Sequence, residues 1–156
     1  MAVPYGKRFA VEFDEVFPDG AYVVGEVTAV TEYQSQKDKA RNRPVRPRID
    51  EATGLPIFKV TIADPSAEKD RDKSVTVEIA SRVQPVPPEA VSGLPFRPVV
   101  LEGLTVQPRA EASGQAKWIS RAIRATGMRA VHERSGKRTE AKPGTAGSAD
   151  VRSAAA

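Results

Sequence analysis

Apolar and polar residues alternate with the period of a β-strand in several stretches of the chain. Successive side chains of a strand point to opposite faces, so an apolar residue at every second position marks a half-buried strand. Ile57–Ala63 reads IFKVTIA, with Phe58, Val60 and Ile62 on one face and Lys59 and Thr61 on the other. Ser74–Ala80 reads SVTVEIA, with Val75, Val77 and Ile79 opposed by Thr76 and Glu78. The polar connector 64–73, DPSAEKDRDK, suits a hairpin loop between them. Ala21–Tyr33, AYVVGEVTAVTEY, predicts a longer strand with Val23, Gly25, Val27 and Ala29 on one face. Its length exceeds the usual strand of about 5–6 residues. Gly25 inside it marks a bulge or bend, so this strand is expected to pair on two sides. Pro98–Pro108 reads as a strand broken near Gly103, and Ala116–Ala125 as the last strand; Ile119 and Ile123 also have the i, i+4 spacing of a helix, but the turn signal SGQ at 113–115 and the β character of the rest favour a strand. In that last strand Ile119 and Ile123 take the core face, and Trp118, Ser120, Ala122 and Arg124 the other. Arg8–Phe13 is a further short strand. The expected core is Val23, Val27, Phe58, Val60, Ile62, Val75, Val77 and Ile79, with Phe9, Phe13, Phe17 and Phe96 packing under connections.

Three segments break this pattern. Residues 84–98 hold Pro85, Pro87, Pro88, Pro95 and Pro98, a density that forbids a long helix and favours an extended crossover. Residues 34–48, QSQKDKARNRPVRPR, set six cations against Asp38, and Pro44 and Pro47 argue against a helix or central strand. From residue 129 the chain is poor in large apolar residues and lacks aromatics, so burial cannot offset its ordering entropy. These pieces predict an all-β fold: a five-stranded, OB-fold-like Greek-key barrel over residues 1–128, with a proline-rich crossover and a disordered basic tail over 129–156. Residues 34–55 form the long basic loop after the first strand, and Arg109–Gln115 the loop between the last two.

The chain has 156 residues, 40% of them apolar, which fits one domain of modest core. Cysteine is absent and His132 is the only histidine, so disulfides, thiolate catalysis, histidine-based metal sites and Ser-His-Asp chemistry lack their parts. No apolar run reaches the roughly 20 residues a bilayer needs, and no signal sequence is read at the N-terminus, so a cytoplasmic protein is expected. The carboxylates at Asp14–Glu15, Asp50–Glu51 and Asp70/Asp72 read as solvated loop acids, and no phosphate-binding or dinucleotide fingerprint is present. No catalytic residue, cofactor or metal site is therefore expected.

The net charge of +4 is modest, and its concentration in 34–48 is the informative feature. Lysines and arginines on a loop neutralise phosphates and release counterions. The candidate nucleic-acid contacts are Lys37, Lys39, Arg41, Arg43, Arg46 and Arg48 of the loop, with Lys59, Arg121 and Arg124 lining the barrel face. Unpaired bases stack on aromatic rings, and Trp118 and Tyr33, at the mouth of the loop, are the rings placed to do so. Core filling is the competing role for Trp118.

VEFDEVFPDGAYVVGEV at 11–27, SVTVEIASRVQPVPPEAVSGLPFRPVVLEGLTVQP at 74–108 and the closing RATGM at 124–128 resemble the replication, integration and excision activator (Pra-like) proteins of actinobacterial plasmids and integrative conjugative elements. The resemblance implies a role in activating replication, integration or excision of a mobile element, and carries over no residue-level binding motif. Two functions follow as expectations. The first is a non-enzymatic accessory protein that binds nucleic acid, single-stranded DNA above all. The second is an adaptor or transcriptional activator that recruits a replication initiator or recombinase through the proline-rich crossover or a sheet edge.

Overall fold

The computed structural model of the chain describes residues 6–131. Two of the alternating segments become strands with the boundaries the pattern sets, β3 (Ile57–Ala63) and β4 (Ser74–Ala80). Before them run β1 (Phe9–Ala10), a one-turn helix α1 (Phe13–Val16), β2 (Ala21–Ala29) and a short helix α2 (Gln36–Ala40). After them run β5 (Arg97–Glu102), β6 (Thr105–Ser113), β7 (Ala116–Ala125) and β8 (Gly127–Ala130).

The eight strands form one mixed sheet, in the order β1-β6-β7-β4-β3-β2-β5-β8, that curls into a half-barrel. All neighbours are antiparallel except β4 and β7, which run parallel. β5 and β6 lie far apart in this order yet are joined through Gly103 and Leu104. That short link draws the two halves of the sheet round a common core. Gly103 has φ +58°, a conformation that L side chains rarely adopt, and Thr126 stands where a Cβ would go.

Inside the curl, Val23, Val27, Phe58, Val60, Ile62, Val77 and Ile79 are buried, and Val75 packs against them partly buried. Phe17, Ala21, Val99, Leu101, Leu104, Ile123 and Ala125 complete the cluster. β2 pairs with β3 on one side and β5 on the other, and its register slips between Val24 and Thr28, where Gly25 has φ +79°.

Several expectations need correction. The strands among the described residues number eight, because β1 is a separate short strand, the break at Gly103 divides one expected strand into two, and β8 adds a closing edge. β2 ends at Ala29, and the chain beyond it makes only an isolated bridge, Thr31 to Pro47. The expected strand Arg8–Phe13 keeps only Phe9 and Ala10, then turns into α1, whose start is a capping box between Glu12 and Glu15. The basic segment holds α2, which ends before Pro44. Ile119, placed in the core by its alternation, is 72% exposed. Beyond Gln107 and Ala122, β6 and β7 leave their other neighbours: β1 reaches only Thr105 and Val106, and β4 only Ile123–Ala125. The rest of the pair is a two-stranded arm with no inner layer to cover Ile119. β8 carries ordered pairing to Ala130, opposite Val99, and residues 132–156 of the expected tail, His132 included, lie outside the described residues.

Candidate nucleic-acid interface

The strand register sets a row of polar side chains across the outer face of the sheet. Thr28 of β2 lies opposite Lys59 of β3, Lys59 opposite Glu78 of β4, Glu78 opposite Arg124 of β7, and Arg124 opposite Thr105 of β6. Lys59 is exposed, and it is in no ion pair among the described residues. Glu78 is turned instead toward arginines. Arg124 Nη2 donates to Glu78 Oε2 at 2.7 Å, Arg48 Nη1 donates to Oε1 at 3.2 Å, and Arg8 Nη2 stands 4.0 Å from Oε2. The other arm of the Arg124 guanidinium donates to Asp50 Oδ1 at 2.5 Å, and its Nε is buried without a partner among the described residues.

This cluster ties the basic loop to the sheet. Residues 46–50 return alongside 30–32 on one side and 55–57 on the other, through Glu32 N to Arg46 O, Arg48 N to Val30 O and Ile57 N to Arg48 O. Arg48 and Asp50 then reach down to Glu78 and Arg124. Ile57, fully buried yet outside the main core cluster, is joined to this strap by its N–H, which donates to Arg48 O. Three arginines face two carboxylates, so the cluster keeps one excess positive charge. The Asp50 carboxyl is held below its ordinary value, first by the hydrogen bond from Thr53 and then, against the cost of burial, by Arg124. Burial pushes Glu78 up, but the hydrogen bond from Arg124 and the charges of Arg48, Arg124 and Arg8 outweigh it and the net direction is down. Arg8 is lowered by burial and by the neighbouring Arg124 charge, against the pull of Glu78.

The tip of the loop is built separately. Ser35 caps α2: its Oγ accepts from Asp38 N at 3.2 Å and donates to Asp38 Oδ2 at 2.6 Å. Asp38 also pairs with Arg43 at 3.2 Å, and Gln34 Nε2 donates to Arg43 O at 3.0 Å. Tyr33, 92% exposed, stands with Arg43 and Arg46 around an open cleft of about 340 Å³. Lys37, Lys39, Arg41 and Arg46 are exposed and in no ion pair among the described residues.

The sequence-predicted site residues thus divide into groups. Lys37, Lys39, Arg41, Arg46 and Tyr33 lie exposed on the loop with no ion pair among the described residues, while Arg43 is held by Asp38 and Arg48 by Glu78. Lys59, Arg124 and Trp118 share the outer face, but the Arg124 side chain is only 13% exposed and spent on two carboxylates. Trp118 is 45% exposed on the arm, opposite Glu111, so core filling is not its role. Glu111 is held by a hydrogen bond from Ser120 Oγ. Arg121 points the other way: it shares the Ile119 and Ile123 face, so it does not line the surface of Lys59 and Arg124. Asp50, read as a solvated acid, is half-buried and paired. Neither its ion pair nor those of Glu78 and Arg8 are visible in a local pattern, because their charged partners are 30 or more residues away in sequence.

Among the described residues no group of His, Cys, Asp and Glu is arranged to hold a metal ion, and no helix is long and apolar enough to cross a membrane. Comparison with protein-family models, with curated proteins and with solved structures gives no match in any of the three.

Proposed function

We propose that the chain is a non-enzymatic, OB-fold-like protein that binds nucleic acid, with single-stranded DNA as its favoured ligand. Counting β5 and β6 as one strand broken at Gly103, the order β2-β3-β4-β7-β6/β5 returns to β2, with one parallel pair. That is the connectivity of a five-stranded Greek-key barrel whose ligand lies on the face of its second and third strands, between the loop after the first strand and the loop before the last. On this reading β3 and β4 supply the face, the 30–56 segment is the first loop and the β6–β7 arm the second.

The observation that carries the proposal is the set of exposed cations, Lys37, Lys39, Arg41 and Arg46, on a loop whose base is clamped over that face. Such cations meet phosphates without first giving up a carboxylate partner. Tyr33 and Trp118 add exposed rings for stacking. Activation of replication, integration or excision of a mobile element, in the manner of the Pra-like proteins the sequence resembles, is the role such binding would serve in the cytoplasm.

Trp118 is the only tryptophan, so intrinsic fluorescence reports on it alone. Titration with a thymidine oligonucleotide should quench that emission at low salt, and an equimolar duplex should quench it less. Tight binding that leaves the emission unchanged would remove Trp118 from the interface.

One observation favours the second reading, an adaptor for a replication initiator or recombinase. The proline-rich crossover exposes Val86, Val91, Leu94 and Phe96. Capture of a partner that persists when the basic loop is neutralised would support it.

A further inference from the structure

We infer that the β6–β7 arm is a wedge for the minor groove of duplex DNA, a second ligand on a different face from the single-strand surface proposed above. The arm is a ribbon, paired from Pro108 opposite Arg121 to Ser113 opposite Ala116. Alternation divides its side chains. Glu111, Trp118 and Ser120 belong to the outer face of the barrel, and the opposite face carries Lys117, Ile119 and Arg121 on β7 with Ala112, Ala110 and Pro108 facing them on β6.

This second face has the parts of a groove binder. Both of its charges are positive, and neither is in an ion pair among the described residues. Lys117 and Arg121 stand four residues apart, about 13 Å along a strand, with Ile119 midway between them. A two-stranded ribbon is wider than the groove of about 6 Å in straight duplex, so its entry requires the groove to open, as it does where an apolar side chain unstacks a base step, and the small residues opposite leave Ile119 as the side chain that protrudes to do so. Ile119, 72% exposed, is the kind of apolar side chain that enters between base steps and kinks the duplex, while cations on either side meet the phosphate rims. A two-stranded ribbon free on both edges gains little from its own core, so a ligand that covers Ile119 is the natural complement. The charges select a polyanion over an apolar partner.

The test is bending of an A·T-rich duplex of about 20 base pairs carrying a fluorophore at each end, with no single strand present. Wild-type protein should raise energy transfer between the ends. Ile119→Ser should abolish that rise while reducing duplex affinity less than tenfold. Its exposure means that no core packing is lost, and an unchanged melting temperature confirms the fold. Lys117→Ala combined with Arg121→Ala should lower the log–log salt slope of duplex binding by about 1.8. Bending that survives Ile119→Ser, or a duplex that does not bind at low salt, overturns the inference. So does a wild-type dimer in sedimentation that Ile119→Ser dissociates, since the face would then belong to a second copy. Single-strand binding should be unchanged by Ile119→Ser, so the two surfaces fail or stand separately.

Discussion

Arg124 and Glu78 stand directly opposite each other on the parallel pair β7 and β4, and Arg124 Nη2 donates to Glu78 Oε2 at 2.7 Å. The same guanidinium holds Asp50, so one side chain joins β7, β4 and the base of the basic loop. Arg124→Ala removes both bonds and leaves two half-buried carboxylates short of donors. The expected loss is about 1.5–3 kcal/mol in urea unfolding. An unchanged midpoint would mean that the strap is held by its backbone bonds alone.

The pH dependence follows from the lowered pKa values of Asp50 and Glu78. A carboxyl whose folded pKa lies below its unfolded value contributes stability that is present above the unfolded pKa and lost as pH falls through the folded one. Melting temperature should therefore hold near neutrality and decline as pH drops below the ordinary carboxylate range. Glu78→Gln should be less stable than wild type near pH 7 and should show a shallower acid decline. Parallel wild-type and variant curves between pH 7 and pH 3 would contradict the assignment.

Gly103 is where one long strand becomes β5 and β6. Gly103→Ala meets both an unfavourable φ of +58° and the side chain of Thr126. Left-handed backbone alone costs an L residue about 1–2 kcal/mol. A thermal melt should show at least that loss, whereas Gly54→Ala, with open space around it, carries the backbone cost without the clash. Equal losses at the two sites would show that Thr126 moves aside freely.

Phe58→Ala should cost about 3–5 kcal/mol, measured by chemical denaturation, because Phe58 is buried in the main core cluster. A near-neutral result would place its ring outside the core.

The legible parts of the fold were those where one physical constraint acts locally. β3 and β4 are half-buried along their whole length, so alternation alone marks their ends and their inner faces. The same alternation misplaces Ile119, because β7 continues past the edge of the core and period two says only which side a residue faces, not whether anything covers it. Helix α2 had a signal, the Ser35-x-x-Asp38 spacing of a capping box, which the nearby prolines masked. The cations of the loop could be counted in the sequence, but their availability could not. Arg43, Arg48 and Arg124 are neutralised by Asp38, Glu78 and Asp50, and the last two of those pairings join segments 30 or more residues apart in sequence.

The central claim is that the unpaired cations of the basic loop bind phosphates, and the salt dependence of oligonucleotide binding tests it most directly. Lys37, Lys39, Arg41 and Arg46 should be changed together to alanine, leaving the paired Arg43 and Arg48 in place. Each phosphate contact on a single strand contributes about −0.7 to the slope of log affinity against log salt. Loss of two to four contacts should flatten the slope by about 1.4–2.8 and weaken binding at low salt, with the melting temperature unchanged. A folded variant that binds a thymidine oligonucleotide with wild-type affinity and slope, or a wild-type protein that binds none at low salt, would contradict the account.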